Sequence, residues 1–297
     1  MKKVIKYWQL YVFLLPAVLL VFIFNYLPIY GIQIAFKNFD ASKGIWGSEW
    51  VGMAHFARLV NLPAFREVIV NTFSLSLLNL ILGFPFPILL ALLINQLRSE
   101  KYKKLIQTAT YLPHFISTVV IVGMILVFLS PRAGLYGNVM RFIGSEPVNL
   151  MGQRHMFRWV YVFSEIWQRT GFNSIIYLAA ISSIDPSLYE AATIDGANRW
   201  QRMIYIDIPY LVPTMVILLI LSAGNVLNVG FDKVFLMQNA SNLGVSEVIS
   251  TYVYKVGIIS AQFSFSAAVG LLNTVINFTF LVAVNMLSRK LGDTSLW

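Results

Sequence analysis

Two charged side chains one helical turn apart, Glu165 and Arg169, sit inside an otherwise apolar stretch. At i and i+4 they share a helix face, so they can neutralise each other or offer a carboxylate and a guanidinium to a ligand. Charges in hydrocarbon are costly and turn toward a bundle interior, a partner or a water-filled cavity. Asn225 and Asn228 fall in the next apolar run, with Asp232 just beyond it, and Asn273 and Asn277 fall in the one after. An asparagine amide both donates and accepts, which is the mixed demand of a polyhydroxylated ligand such as a sugar. The competing structural role is interhelical hydrogen bonding, worth about 1 kcal/mol per asparagine. Binding and passage are the chemistry these residues suit, rather than bond cleavage. His55, His114 and His155 are scattered without metal-ligand spacing, and the chain has no cysteine to supply a thiolate. An intramembrane enzyme would need a nucleophile with a base, a carboxylate pair or a metal cluster in the spans, and Glu165 alone does not supply that. No catalytic residue and no metal site are expected. A G-x-x-x-x-G-K-[ST] phosphate loop is also missing from the sequence, so any energy from nucleotide must come from another polypeptide.

The elements that hold these residues are membrane spans. Hydrophobic residues make up 58% of the 297 and charged residues 12%, with a mean hydropathy of +0.70, whereas soluble domains are about a quarter charged. No hydrophilic stretch is long enough for a soluble domain, and no internal repeat or low-complexity tract is present. The net charge of +9 gathers beside apolar runs, which points to a lipid bilayer and not to nucleic acid. Six runs near or above the roughly 20 residues needed to cross are expected to span, at about 10–36, 68–94, 112–129, 157–181, 210–230 and 265–287. The expected fold is an all-α polytopic membrane protein with six transmembrane helices, the whole of 1–297 forming one transmembrane domain. The first run is too long for a signal peptide's apolar region and lacks a small-x-small cleavage site, so it is expected to stay as a span. Pro16, Pro28, Pro85, Pro87, Pro113 and Pro213 interrupt these runs, and kinked helices are tolerated mainly where neighbours meet the freed carbonyls.

Orientation follows from basic residues in short loops. Arg98, Lys101, Lys103 and Lys104, the N-terminal Lys2, Lys3 and Lys6, and Arg289 and Lys290 fall on one side of a six-span chain. That side is expected to be the cytoplasm, with both termini inside. Lys37, Arg58, Arg132 and Arg141 fall in longer external loops, where the bias is weak.

One polar stretch on the same side has a local structure that can be derived. Residues 189–209 read YEAATIDGANRWQRMIYIDIP. Asp185 followed by Pro186 is a helix start, the carboxylate accepting from free backbone N–H groups and proline filling the first helical position. Leu188, Ala191, Ala192 and Asp195 then share a face of mostly small side chains. Gly196 ends that helix with a left-handed turn, and a second helix restarts with Trp200, Met203 and Ile204 as its apolar stripe. The expectation for 185–209 is a helix-turn-helix bracket at a membrane face.

Glu190, Ala191, Ala192, Asp195, Gly196, Ile206 and Pro209 lie in this bracket, and Glu190, Ala191, Ala192, Gly196, Ile206 and Pro209 match in spacing the EAA loop of permease subunits of binding-protein-dependent ABC importers; Ile208 stands where that loop usually has leucine. The chain also resembles the carbohydrate-uptake, maltose-type branch of those permeases. Residues 111–117 (YLPHFIS), 228–236 (NVGFDKVFL), 251–257 (TYVYKVG), 263–270 (FSFSAAVG) and the tail 285–297 are similar to its oligosaccharide and polysaccharide-fragment subgroup. The resemblance implies a MetI-like fold in the bacterial cell membrane, with 185–209 as the coupling helix seated in a cleft of a cytoplasmic ATPase. It further implies a second permease as a heterodimeric partner, two ATPase subunits that use ATP and Mg²⁺, and an extracellular or periplasmic sugar-binding protein. This chain itself would bind no cofactor. Another cargo, a peptide or glycerol phosphate, is the alternative within the same reading. A self-contained secondary transporter would show paired Gly/Pro-broken spans in two related halves, and none is found.

Overall fold

A computed structural model of the protein describes residues 7–291 and 295. Lys2, Lys3 and Lys6, and residues 292–294 and 296–297 of the tail, lie outside the described residues. In chain order, α1 (Trp8–Val21) continues through a π turn (Phe22–Tyr26) and a 3-10 stretch (Leu27–Phe36). A two-residue antiparallel ladder pairs β1 (Lys37–Asn38) with β2 (Glu49–Trp50). There follow α2 (Ala54–Asn61), α3 (Pro63–Gly83), α4 (Pro85–Asn95), α5 (Glu100–Tyr111), α6 (Thr118–Phe128), α7 (Leu135–Phe142) and α8 (Arg154–Ser182). The chain goes on through α9 (Pro186–Ile194), α10 (Arg199–Arg202), α11 (Ile208–Ala223), α12 (Phe231–Met237), α13 (Ile249–Val253) and α14 (Phe263–Leu291).

Among the described residues, four helical stretches are long and apolar enough to cross a bilayer: Trp8–Phe36, Pro63–Asn95, Arg199–Ala223 and Phe263–Lys290. A fifth arises if α5 and α6 count as one broken span, bent by 99°. The expected third span, 112–129, is therefore not one helix. Pro113 lies in a 3-10 turn, Leu112–Phe115, where its missing N–H costs no α-helical bond, and Ser117 then caps a new helix by accepting from Val120 N. At 11 residues and 1.5 Å per residue, α6 rises roughly 16 Å, about half a hydrocarbon core. α8 has the length to cross, 29 residues, but Arg154, Arg158, Glu165 and Arg169 make it more polar than the other spans.

The fifth expected span, 210–230, also moves. Its helix starts at Arg199 and passes through a π turn, Met203–Asp207, before α11. The π turn lies just ahead of Pro209, which cannot donate to a regular ladder. The helix ends at Ala223, so Asn225 and Asn228 stand on the irregular segment after it.

The chain divides into two compact units, residues 1–65 with 253–274, and residues 66–252 with 275–297. Within the first, Ser264 Oγ accepts from Phe39 N at 2.9 Å, the rings of Phe39 and Phe263 meet edge to face, and the Arg58 guanidinium lies 4.8 Å from the centre of the Phe265 ring. Lys37 is buried and donates to Ile45 O at 2.7 Å. α1 buries none of its apolar residues.

The second unit is built around α8, which buries Phe157, Tyr161, Glu165, Gln168 and Gly171 along one side. Phe157, Tyr161, Val162 and Ile166 pack with Leu75, Val122, Val229, Val234 and Met237, and Tyr177 and Ile181 with Ala91, Leu92 and Leu211. A Cβ on Gly171 would clash with the Thr110 carbonyl, so the hydrogen lets α8 touch the backbone of α5. α8 holds its polar face between α3, α4 and the segment after α11.

Candidate functional site

A cavity of about 440 Å³ opens beside α8 in the second unit. Glu165 and Arg169 line it from α8, Asn225 and Asn228 from the segment that follows α11. Four of the seven residues expected to meet a ligand thus come together. The other three do not reach the cavity wall. Asp232 is exposed on α12, Asn273 is half-buried on the part of α14 assigned to the first unit, and Asn277 is buried one layer back.

Asn277 still shapes the cavity. Its amide oxygen accepts from Leu227 N at 3.0 Å, and its Nδ2 donates to Asn228 Oδ1 at 3.2 Å. Asn228 in turn donates to Asn225 Oδ1 at 3.2 Å. Where the helix stops, backbone groups need new partners, and this string of amides supplies one while fixing the orientation of the lining asparagines.

The electrostatics differ from the simple Glu165–Arg169 pair. Glu165 does pair through Oε1 with Arg169 Nε. Its other oxygen, Oε2, accepts from Lys233 Nζ at 2.8 Å. Lys233 also lies 3.4 Å from Gln168 Oε1 and 5.5 Å from the Tyr161 ring centre, so its ammonium is enclosed by an anion, an amide oxygen and a π face. One carboxylate faces two cations. Asp232, the charged residue singled out just beyond the apolar run, is exposed, and its neighbour Lys233 is the one that is buried.

Further polar lining comes from Asn79 of α3 and Asn173 of α8, which sequence reasoning missed. Asn173 lies four residues beyond Arg169, so the helical spacing that paired Glu165 with Arg169 could have found it.

The bracket forms as its local signals require. Asp185 accepts from Ser187 N at 2.9 Å, and that backbone N–H holds the Asp185 carboxyl below its ordinary value. Gly196 has φ +78°, and Ala197 N reaches back to Ala192 O at 2.8 Å. A capping box not foreseen in sequence restarts the helix, with Asn198 accepting from Gln201 N at 2.9 Å and Gln201 Oε1 accepting from Asn198 N at 2.7 Å. Glu190, Ala191, Asp195, Gly196 and Pro209 are exposed, while Ala192 and Ile206 are half-buried.

Asp207 is the member of the bracket that sequence reasoning passed over. It is fully buried. Its carboxylate accepts from the Tyr189 hydroxyl, from Gln96 Nε2 at 3.2 Å and from Asn95 Nδ2 at 3.4 Å. Burial first, and then the Asp207 carboxylate, push the Tyr189 phenol above its ordinary value, which keeps it a donor. α9, the π turn and the end of α4 are thereby tied at one point.

Residues 83–293 match the family described as binding-protein-dependent transport system inner membrane component. The chain is 42% identical over 295 residues to a polygalacturonan/rhamnogalacturonan transport system permease protein, YteP, of Bacillus subtilis (strain 168), covering 99% of this chain and 92% of that protein. A chain in the crystal structure of a bacterial ABC transporter involved in the import of the acidic polysaccharide alginate superposes with a TM-score of 0.89 at 42% identity, covering 97% of this chain and 98% of that one. A bacterial alginate ABC transporter in complex with an alginate pentasaccharide-bound periplasmic protein gives 0.90 at 41% identity, with 99% of each chain covered. With α8, the bracket and α14 all inside the matched region, the chain belongs to the family of binding-protein-dependent transport system inner membrane components.

Proposed function

We propose that this chain carries acidic oligosaccharides past Arg169 and is driven through the bracket at 185–209 by an ATPase on the cytoplasmic side. It is a non-catalytic, multi-pass permease subunit of a sugar ABC importer, with a MetI-like fold, and ATP hydrolysis resides in a separate subunit. Its partners are a second permease, two ATPase subunits that use ATP and Mg²⁺, and a sugar-binding protein outside. Six spans are the topology that accommodates the bracket, the basic loop at 98–104 and Arg289 and Lys290 on one cytoplasmic side. In that topology α5–α6 is the third span and α8 the fourth, its polar residues turned to the cavity.

The observation that carries the cargo class is the exposed Arg169 side chain, 59% accessible, beside a Glu165 that already has Lys233 as a counter-ion. Cavity and triad together hold one more positive than negative charge. Alginate and polygalacturonan, named for the relatives, are chains of carboxylate-bearing sugars. A guanidinium binds a carboxylate through two parallel hydrogen bonds, and the amides of Asn225 and Asn228 suit hydroxyls.

Arg169→Gln and Arg169→Lys test this in the assembled importer. Gln is expected to lower uptake of a uronate oligosaccharide far more than that of a neutral one, with Lys intermediate because it keeps the charge without the planar fork. Uptake is measured per assembled complex. Equal losses for both sugars would retire the acidic-cargo reading.

A further inference from the structure

The two cations around Glu165 are not equivalent. The Lys233 side chain is 5% exposed and that of Glu165 8%, while the Arg169 side chain is 59% exposed. Lys233 touches Glu165, Gln168 and the Tyr161 ring and does not line the cavity. Arg169 lines it, and Glu165 is its ion-pair partner among the described residues. The carboxylate therefore stands between a cation locked behind it and a cation that can swing away.

Consider the same site without Lys233. Arg169 would be the sole counter-ion of a buried carboxylate, and a ligand that drew the guanidinium away would leave that carboxylate uncompensated in a low-dielectric wall. Such a state is costly enough to hold Arg169 in place. With Lys233 present, Glu165 keeps a charge-assisted hydrogen bond when Arg169 leaves.

We infer that Lys233 is the residue that frees Arg169 for cargo. It is a positioning residue: it meets no sugar, and it compensates Glu165 from behind. The inference rests on the acidic-cargo reading above. One ion pair is exchanged for another, Arg169–Glu165 opening as Arg169–uronate forms, while Lys233–Glu165 persists throughout. No proton moves. Glu165 also remains within reach of Arg169, one helical turn away, so it competes with the bound uronate and returns the guanidinium when the sugar moves on. A pathway needs sites that bind well enough to admit the cargo and weakly enough to release it, and a tethered competitor supplies the second property.

The test uses the complete reconstituted importer with its sugar-binding protein, one uronate oligosaccharide and one neutral one. Lys233→Met is expected to lower the ratio of uronate to neutral uptake about tenfold, within the range found for coupled neighbours. The double variant Lys233→Met/Glu165→Gln removes both the locking carboxylate and its counter-ion, and is expected to return that ratio to within about threefold of the parent. The double variant also lacks the competitor, so its uronate KM should fall together with kcat. A Lys233→Met effect equal for both sugars, or a double variant whose uronate uptake stays selectively low, overturns the inference. If Lys233→Met does not assemble, the double variant decides alone, because it buries no uncompensated charge. Arg169→Gln run alongside separates the two failures. If it spares uronate, the acidic-cargo reading falls; if it costs uronate selectively while the double variant does not recover, only the role of Lys233 falls.

Discussion

At Asp207 a carboxylate with no exposed surface is satisfied by neutral donors, the Tyr189 hydroxyl and the amides of Gln96 and Asn95. Removing a donor leaves the buried carboxylate short of a partner, and removing the carboxylate leaves three half-buried donors without their shared acceptor. Asp207→Ala should therefore destabilise the bracket by roughly 1 to 3 kcal/mol, and Tyr189→Phe by about 0.5 to 1.5 kcal/mol. Because both variants break the same bond, their combination should cost less than the sum. Thermal unfolding of the purified complex for the four members of the cycle measures this. Strict additivity would mean that the two residues do not act through each other.

At the scale of elements, two glycines do different work. Gly171 has an ordinary backbone conformation, and the nearby Thr110 carbonyl forbids a side chain. Gly196 has open space around it but sits at φ +78°, so its constraint is entirely conformational. A β-branched residue there should strain the turn by roughly 1 to 3 kcal/mol without a packing clash. Gly196→Val is expected to insert and assemble with the ATPase yet lose sugar uptake, because α9 would be misdirected relative to α10. Gly196→Asn should keep most of the uptake, since asparagine tolerates the left-handed region. Normal transport by Gly196→Val would take the coupling role away from the bracket.

For the whole molecule, the division of labour is the main consequence. The chain exposes the apolar side chains of α1 along its length, a surface suited to lipid or to another apolar helix, and it holds no phosphate loop in its sequence. The purified chain should neither bind nor hydrolyse ATP. The assembled importer should hydrolyse ATP faster when sugar-loaded binding protein is added. Turnover by the isolated, contaminant-free chain would contradict the separation of transport from hydrolysis.

What the sequence determined by itself was whatever depends on composition and on neighbours within a few residues. The run of apolar residues from 10 to 36 must be helical in lipid because its backbone can bond only to itself. The bracket's start and turn follow from Asp185, Pro186 and Gly196, whose effects act over one helical turn. The helix break at Pro113 was marked by that proline, but its 99° bend was not, since the angle depends on what α5 and α6 each pack against. The end of α11 at Ala223 was likewise decided from outside, with Asn277, 50 residues away, meeting the freed Leu227 N–H. Lys233 shows the limit most clearly. Adjacent residues on a helix point about 100° apart, so either Asp232 or Lys233 could have faced the protein interior from α12. Only the position of Glu165 on α8, 68 residues earlier in the chain, made the buried ammonium the compensated choice and left Asp232 to solvent.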